Sequence, residues 1–526
     1  MASQTYFGVP VDKLTIAQGA VLASSIRSPA TLDPQKHPEV AKDRWEYVLD
    51  GMVEKGWLDA AERRAQVYPP VLNVGEGPGA RNNDLSGPKG HVITAVLEEL
   101  GDRGFAGGRG LVVTTTVRRE AQDAAVTAVQ KVIGDKSGPD DLQGAVVSVQ
   151  PGTGEVVAYY GGATGTGFDF ANQGVGRQPG SSFKPYVLAE ALAQGKSLKT
   201  RLDGESPKQF PGAEVQNFGN KDFGSVDLVQ ATKDSINTAY FELGLQVAPP
   251  KVADIAHAAG IPDRAPLKGP DGRTNGSISL GGYEVRVIDQ AVGFATFANK
   301  GVPAEPFLVK KIQGDRGDTI YEAKPRNRPA AYSADVAADS IFAMRAVVED
   351  GTGRGARLDG GRPAAGKTGT SSDNKDAWFV GFTPQLSTAV WLGYATPKTI
   401  RVDGVEVTGG GFSTRIWKAY MDIAMKGLPV QQFPPPANIG KQAEPPPPPP
   451  PPAPPVTFFT TGPSPLPSEI PIQTEAPTLG PSPILPPPIV ISPQPVRSPP
   501  PPRPRSPSPS PSRSPSPAPS VSSPAA

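Results

Sequence analysis

The chain has 526 residues, with 52 lysines and arginines against 51 aspartates and glutamates, three histidines and no cysteine. The even charge balance argues against a nucleic-acid protein, and the missing cysteines exclude a disulfide framework, a thiolate metal site and a cysteine nucleophile. Residues 431–526 hold 37 of the 64 prolines, so a body of ordinary composition is expected to carry a proline-rich tail.

Residues 1–66 read as helical. Leu14 to Ile26 has apolar residues at helical spacing with Thr15 as a cap, and Arg44–Lys55 and Leu58–Val67 follow. Residues 71–90, rich in Gly, Asn and Pro, read as a loop. His91–Leu100 is expected to be a short helix and Gly110–Val117 a strand. Arg118–Ile133 is expected to be an amphipathic helix with Ala121, Ala125, Ala128, Val129 and Val132 on one face. After a loop at Gly134–Asp141, Gly144–Gln150 and Glu155–Tyr160 flank the turn Pro151-Gly152-Thr153-Gly154 and form a hairpin. A second hairpin is expected from Ala377–Thr383 and Leu386–Tyr394. Helical segments lie between, including Val226–Leu245, Pro250–Ala259 and Val285–Ala298. Strands from both ends with helices between imply an α+β domain around one antiparallel sheet. The tail has eight consecutive prolines, Pro445–Pro452, and Ser-Pro repeats at 506–518. Such a segment cannot bury enough apolar surface to offset its ordering entropy, so disorder with local polyproline II is expected. Its role is open between a passive spacer and a semi-rigid arm with an unknown partner.

No apolar run approaches the 18 residues needed to cross a membrane, and Met1 is followed by neither a basic n-region nor an apolar h-region. His37, His91 and His257 stand in no paired or HExxH spacing, so a histidine-built metal site is not expected and no cofactor is implied. A hydrolase or acyltransferase built from these residues is expected to use a base other than histidine.

Three short strings carry chemistry. S-x-x-K occurs at Ser86–Lys89, Ser181–Lys184 and Ser372–Lys375; S-x-N at Ser235–Asn237 and Ser372–Asn374; K-[ST]-G at Lys136–Gly138 and Lys367–Gly369. Serine-lysine chemistry needs the pair one helical turn apart on one side. Gly-Pro breaks that turn after Ser86, and Ser372 lies in a polar loop. Only Ser181-Ser-Phe-Lys184-Pro185 opens a helix, with Val187, Leu188, Ala191 and Leu192 as its apolar face and Gly195 to end it. Ser235-Ile-Asn237 lies in the helical stretch Gln230–Leu245, with Ser and Asn on one side of a bend. Lys367-Thr-Gly-Thr370 leads into the second hairpin and is expected on a strand, its glycine letting a substrate approach the backbone. Each string alone reads as an ordinary helix start or strand. The three together, in this order, do not.

Arg177-Gln-Pro-Gly-Ser181-Ser-Phe-Lys-Pro185, Gly366-Lys-Thr-Gly-Thr370 and Asp376-Ala-Trp-Phe-Val-Gly-Phe382 resemble the active-site stretches of class A penicillin-binding proteins. Tyr6–Thr15 and Ala23–Pro29 resemble the last portion of that family's glycosyltransferase domain. The resemblance implies a helical remnant at 1–67, a linker region at 68–141, a transpeptidase domain at 142–428 and a disordered tail at 429–526. It also implies that the catalytic glutamates, leader and membrane anchor lie upstream of the given start, so no glycosyl transfer is expected, and that the protein works outside the cytoplasmic membrane. Glu39, Glu46 and Glu54 read as solvated helix charges. By resemblance, Ser181 is the nucleophile, Lys184 its base, Ser235 a proton relay and Asn237 the residue that orients Lys184 and holds the substrate amide. Lys367, Thr368, Gly369 and Thr370 bind the substrate, with the backbone N–H groups of Ser181 and Thr370 as oxyanion hole. The implied partners are peptidoglycan stem peptides ending in D-Ala-D-Ala, and β-lactams. A DD-carboxypeptidase or another hydrolase of the same substrate, and a non-catalytic penicillin-binding wall protein, stay as alternatives. A class A β-lactamase is disfavoured, because no Glu-x-x-x-Asn string stands between Asn237 and Lys367.

Overall fold

The computed structural model describes residues 2–28, 31–73, 85–105, 110–134, 142–402 and 404–441. Residues 135–141, which include the Lys136-Ser-Gly138 string, and the proline tail from 442 lie outside the described residues.

Five antiparallel strands carry the molecule: β1 (Gln143–Val149), β2 (Val156–Tyr160), β3 (Ala365–Thr370), β4 (Asp376–Thr383) and β5 (Leu386–Gly393). Their order is β3-β4-β5-β1-β2, so the two expected hairpins join through β5 and β1, with Ala389 opposite Val147. Side chains on a strand alternate between faces, and here both faces are covered. Ala145, Val147, Trp378, Val380 and Phe382 enter one core, and Val146, Ala377, Phe379 and Val390 enter another. Helices α1 (Lys184–Ala193) and α4 (Val287–Ala298) cover the first face through Tyr186, Val187, Phe294 and Phe297. The helix Arg119–Ile133 and α6 (Thr414–Ala424) cover the second through Ala125, Ala128, Val129, Trp417 and Tyr420. Burial on both sides explains why these strands read as continuous apolar runs.

Several elements depart from expectation. The helical stretch Val226–Leu245 is broken into α2 (Leu228–Lys233) and α3 (Asn237–Val247). The helix α5 (Ala334–Asp350), capped by Ser333, adds to the expected set, as does α6. The strand Val112–Thr115 pairs with Val309–Gln313, which pairs in turn with Thr319–Glu322, so a second sheet exists. Glu99, on the helix Lys89–Asp102, accepts the backbone N–H groups of Leu308 and Val309 and ties that helix to it. The N-terminal block has its own core of Phe7, Val21, Trp45 and Leu49, and Thr15 forms a capping box with Gln18 at the start of the helix Ile16–Ser25.

The expected tail boundary at 429 is corrected. Residues 429–441 lie against the body as a strap. Phe433 is buried beside Phe382, with ring centroids 5.6 Å apart. The buried Asp339 carboxylate on α5 accepts N–H from Asn438 and Ile439 at 2.9 Å each. Lys441 bridges to Lys196, just beyond α1. A proline-rich string packs here because one aromatic anchor and two backbone donors find partners, which composition alone does not reveal.

Candidate active site

The turn that carries Ser181 is a short 3-10 helix, Gly180–Phe183, running straight into α1, with Pro185 tolerated in the first turn. Its position is set by contact with β3. Gly180 has φ +54°, and a Cβ there would stand 2.3 Å from the Thr370 carbonyl oxygen. A Cβ at Gly369 would stand 2.2 Å from the Pro179 carbonyl oxygen. Both glycines let the nucleophile turn and the K-T-G strand meet backbone to backbone. The Cβ side of Gly369 faces the Pro179–Ser182 turn, so the glycine serves this close approach, while β3 remains an edge strand of the sheet.

Ser235 stands at the middle of the corner Asp234–Ile236 between α2 and α3. Its φ is +59°, a left-handed conformation that costs a residue with a Cβ roughly 1–2 kcal/mol. The expected smooth helix is therefore a strained corner, and the corner aims both the carbonyl and the hydroxyl of Ser235 at the same place. Lys184 Nζ donates to Ser235 O at 2.7 Å and to Asn237 Oδ1 at 2.8 Å, and lies 3.3 Å from Ser235 Oγ. Lys367 Nζ donates to Ser235 Oγ at 2.8 Å and to Thr368 O at 3.1 Å. One serine thus bridges two lysines that come from α1 and β3.

Both lysines are fully buried, and among the described residues neither is hydrogen-bonded to a carboxylate. Burying two unpaired ammonium groups side by side would cost several kcal/mol each, so the protons redistribute. Burial, and then the Lys367 charge, hold Lys184 well below its ordinary value of 10.5. Burial lowers Lys367 to about 7. The positive end of α3, beginning at Asn237, also disfavours an ammonium at Lys184. A neutral Lys184 has two N–H groups for Ser235 O and Asn237 Oδ1 and keeps a lone pair. A charged Lys367 donates to Ser235 Oγ. The pair is poised for proton transfer through one hydroxyl.

Thr370 Oγ1 accepts from Gly409 N at 3.1 Å, which leaves its hydroxyl proton to be donated elsewhere. Thr368 Oγ1 is 2.7 Å from Thr352 Oγ1. Ser181 and Thr370 are half-buried, so the site opens to solvent between the nucleophile turn and the strand. The discarded strings stand apart. Ser372 is exposed in the turn between β3 and β4, where Lys375 pairs with Asp373 at 2.9 Å and Asn374 donates to Glu406. Ser86 is exposed ahead of the helix that begins at Lys89.

Sequence strings did not point to the residues behind the site. Ser182, Gln290 and Tyr186 form a buried chain under the nucleophile turn, Gln290 donating to Ser182 Oγ at 2.9 Å and Tyr186 to Gln290 at 3.0 Å. Asn217 contacts the start of α3 from a distant loop. Ser182 fills a variable position of the Ser181–Lys184 string, Tyr186 and Gln290 belong to no motif, and Asn217 sits in no periodic segment.

Residues 144–422 match the family described as penicillin binding protein transpeptidase domain. The chain belongs to that family. Residues 1–53 match the transglycosylase family, so the chain has the make-up of a class A penicillin-binding protein, a transpeptidase domain preceded by a transglycosylase fragment. It is 40% identical over 465 residues to penicillin-binding protein 1A of Mycolicibacterium smegmatis, covering 84% of this chain and 58% of that protein. It is 40% identical over 464 residues to penicillin-binding protein 1A of Mycobacterium tuberculosis, covering 84% of this chain and 56% of the relative. The chain therefore spans a little over half the length of these curated relatives. Among solved structures it resembles the PonA1 protein of Mycobacterium tuberculosis in complex with penicillin V, with TM-score 0.63, 39% identity, and coverage of 69% of this chain and 100% of that one. The fold is the penicillin-binding transpeptidase fold, an antiparallel sheet with helices on both faces.

Proposed function

We propose that the protein is a serine DD-transpeptidase of peptidoglycan synthesis that forms an acyl-enzyme on Ser181. The observation that carries this is the pair of buried lysines, Lys184 and Lys367, meeting at Ser235 beside the Ser181 turn. Ser181 Oγ attacks the carbonyl carbon between the two D-alanines. Its proton goes to neutral Lys184, a base made competent at neutral pH by burial. The oxyanion is held by the backbone N–H groups of Ser181 and Thr370, each such donor being worth roughly 3–4 kcal/mol. As the C–N bond breaks, Lys184 returns the proton through Ser235 Oγ to the leaving D-alanine amine. Lys367, Thr368 and Thr370 receive the terminal carboxylate. Asn237 orients Lys184 through Oδ1, and its amide nitrogen already donates to Gln216 O at 2.8 Å. An amine of a second stem peptide then attacks the ester carbonyl and restores Ser181.

A penicillin presents a carboxylate and a strained amide to the same groups and acylates the same serine. Residues 1–53 are read as the closing part of a transglycosylase domain, and activity of that kind is not assigned to them. The cell envelope is the compartment in which this substrate exists. Incubation with a fluorescent penicillin, followed by digestion and mass spectrometry, tests the reading. Adduct on the peptide containing Ser181 supports it; adduct elsewhere, or none, overturns it.

A further inference from the structure

Helix α3 begins at Asn237 without a local cap. A helix start leaves N–H groups without intrahelical partners, and a Ser, Thr, Asp or Asn just before it ordinarily accepts them. Here that position is Ile236, fully buried, with no side-chain cap. The serine before it is committed to the two lysines. The cap comes instead from twenty residues upstream. Asn217 Oδ1 accepts the N–H of Asn237 at 2.9 Å, the N–H of Thr238 at 3.1 Å and the Thr238 hydroxyl at 3.3 Å. Asn217 Nδ2 donates to Gly204 O and Lys221 O at 2.9 Å each. The side chain is 4% exposed. Its neighbour Gln216 accepts Asn237 Nδ2, which turns Asn237 Oδ1 toward Lys184. Only this orientation of the Asn217 amide satisfies donors and acceptors at once.

We infer that Asn217 is a positioning residue for acylation. It fixes the first turn of α3, and so holds Asn237 Oδ1 and the strained Ser235 carbonyl where they grip the Lys184 amine. The role needs both ends of the amide. The oxygen caps the helix, and the nitrogen anchors the cap to the loop that closes on itself through Gly204 and Gly224. Without the cap, the corner at Ser235 loses one of the contacts that force its left-handed backbone. Lys184 then moves more freely and meets water, which favours its ammonium form.

The inference rests on the acyl-enzyme reading, and the test separates the two. Acylation by a fluorescent penicillin is followed against pH for the full chain, for Asn217→Ala and for Asn217→Asp, with thermal melts of each. Asn217→Asp keeps the accepting oxygen at a helix N-terminus. Asn217→Ala is expected to lose roughly ten-fold in plateau rate, the order expected for a lost helix cap, with the acid limb of its pH profile moved upward. Asn217→Asp keeps the capping oxygen but loses the Nδ2 donor to Gly204 O and Lys221 O, so it is expected to recover only part of the alkaline-plateau rate. If Asn217→Ala does not fold, Asn217→Ser is too short to span the gap and is expected to show the same loss. A folded alanine or serine variant with wild-type rate and an unmoved acid limb overturns the inference alone. So does an aspartate variant as slow as alanine on the plateau. A wild-type protein that takes no label overturns both readings.

Discussion

Ser235-Ile-Asn237 and Ser372-Asp-Asn374 share one spacing, and both hold left-handed backbone, at Ser235 with φ +59° and at Asp373 and Asn374 with φ +59° and +52°. In the first, the middle residue is a fully buried isoleucine, and packing pulls the corner between two helices and two lysines. In the second, the middle residue is an exposed aspartate that pairs with its own neighbour Lys375, and the corner merely reverses the chain between strands. The serine is the same in both. What differs is whether the lysine beside it has been deprived of water and carboxylates. A buried lysine without an acid partner is a base, and an exposed one beside an aspartate is a surface charge.

The comparison breaks most sharply at the nucleophile. Ser181→Ala is expected to abolish covalent penicillin labelling, with Ser372→Ala and Ser86→Ala labelling as wild type; in-gel fluorescence decides it, and full labelling of the Ser181 variant would end the assignment. Next comes the base. Lys184→Met should slow acylation by about 10²–10⁴-fold, the range for a lost general base, whereas Lys375→Met should leave the rate unchanged in stopped-flow or gel kinetics.

A third measurement tests the strap. Helix α5 packs on both β3 and α2, and the strap holds α5 through Asp339. Phe433→Ala is expected to cost about 3 kcal/mol in denaturant unfolding, the cost of truncating a buried phenylalanine, and to slow acylation at the Ser235 corner. A chain ending after Lys441 should match the full chain within about two-fold in rate, near 0.4 kcal/mol. Equal behaviour of chains ending after Leu428 and after Lys441 would show that the strap contributes nothing.

The last expected effect is electrostatic, and it leaves the rate comparison at neutral pH aside. Lys367 titrates near 7 in the folded protein and at its ordinary 10.5 when unfolded. Between these values the unfolded chain binds more protons, so stability rises with pH; below about 7 both forms bind the proton and the dependence disappears. The slope from this group is at most about 1.4 kcal/mol per pH unit. Lys367→Met should flatten the rise in denaturant titrations, and Lys375→Met should not.

Local chemistry made much of this legible in advance. The Thr15 cap, the alanine face of Arg119–Ile133, both hairpins and the strand under Lys367 follow from spacing and turn residues. What lay hidden depends on distant partners. Ile236 and Asn237 continue an apolar helical pattern, so the break at Ser235 cannot be seen until Lys184 and Lys367 arrive to hold it. Asn217 caps a helix that starts twenty residues later. The register of β5 on β1 joins positions 238 or more residues apart. Helix α5 was within reach: Ser333 precedes Val336, Ala337, Ile341, Met344 and Val348 at helical spacing.

The contact between Lys441 and Lys196 has a practical side. Helix α1 is ten residues long, about 15 Å, with the nucleophile turn at one end and Lys196 just past the other. A chain ended at Lys441 therefore offers a handle beyond the end of α1 that lies away from the nucleophile turn. An anchor or dye attached there stands at least one helix length behind Ser181.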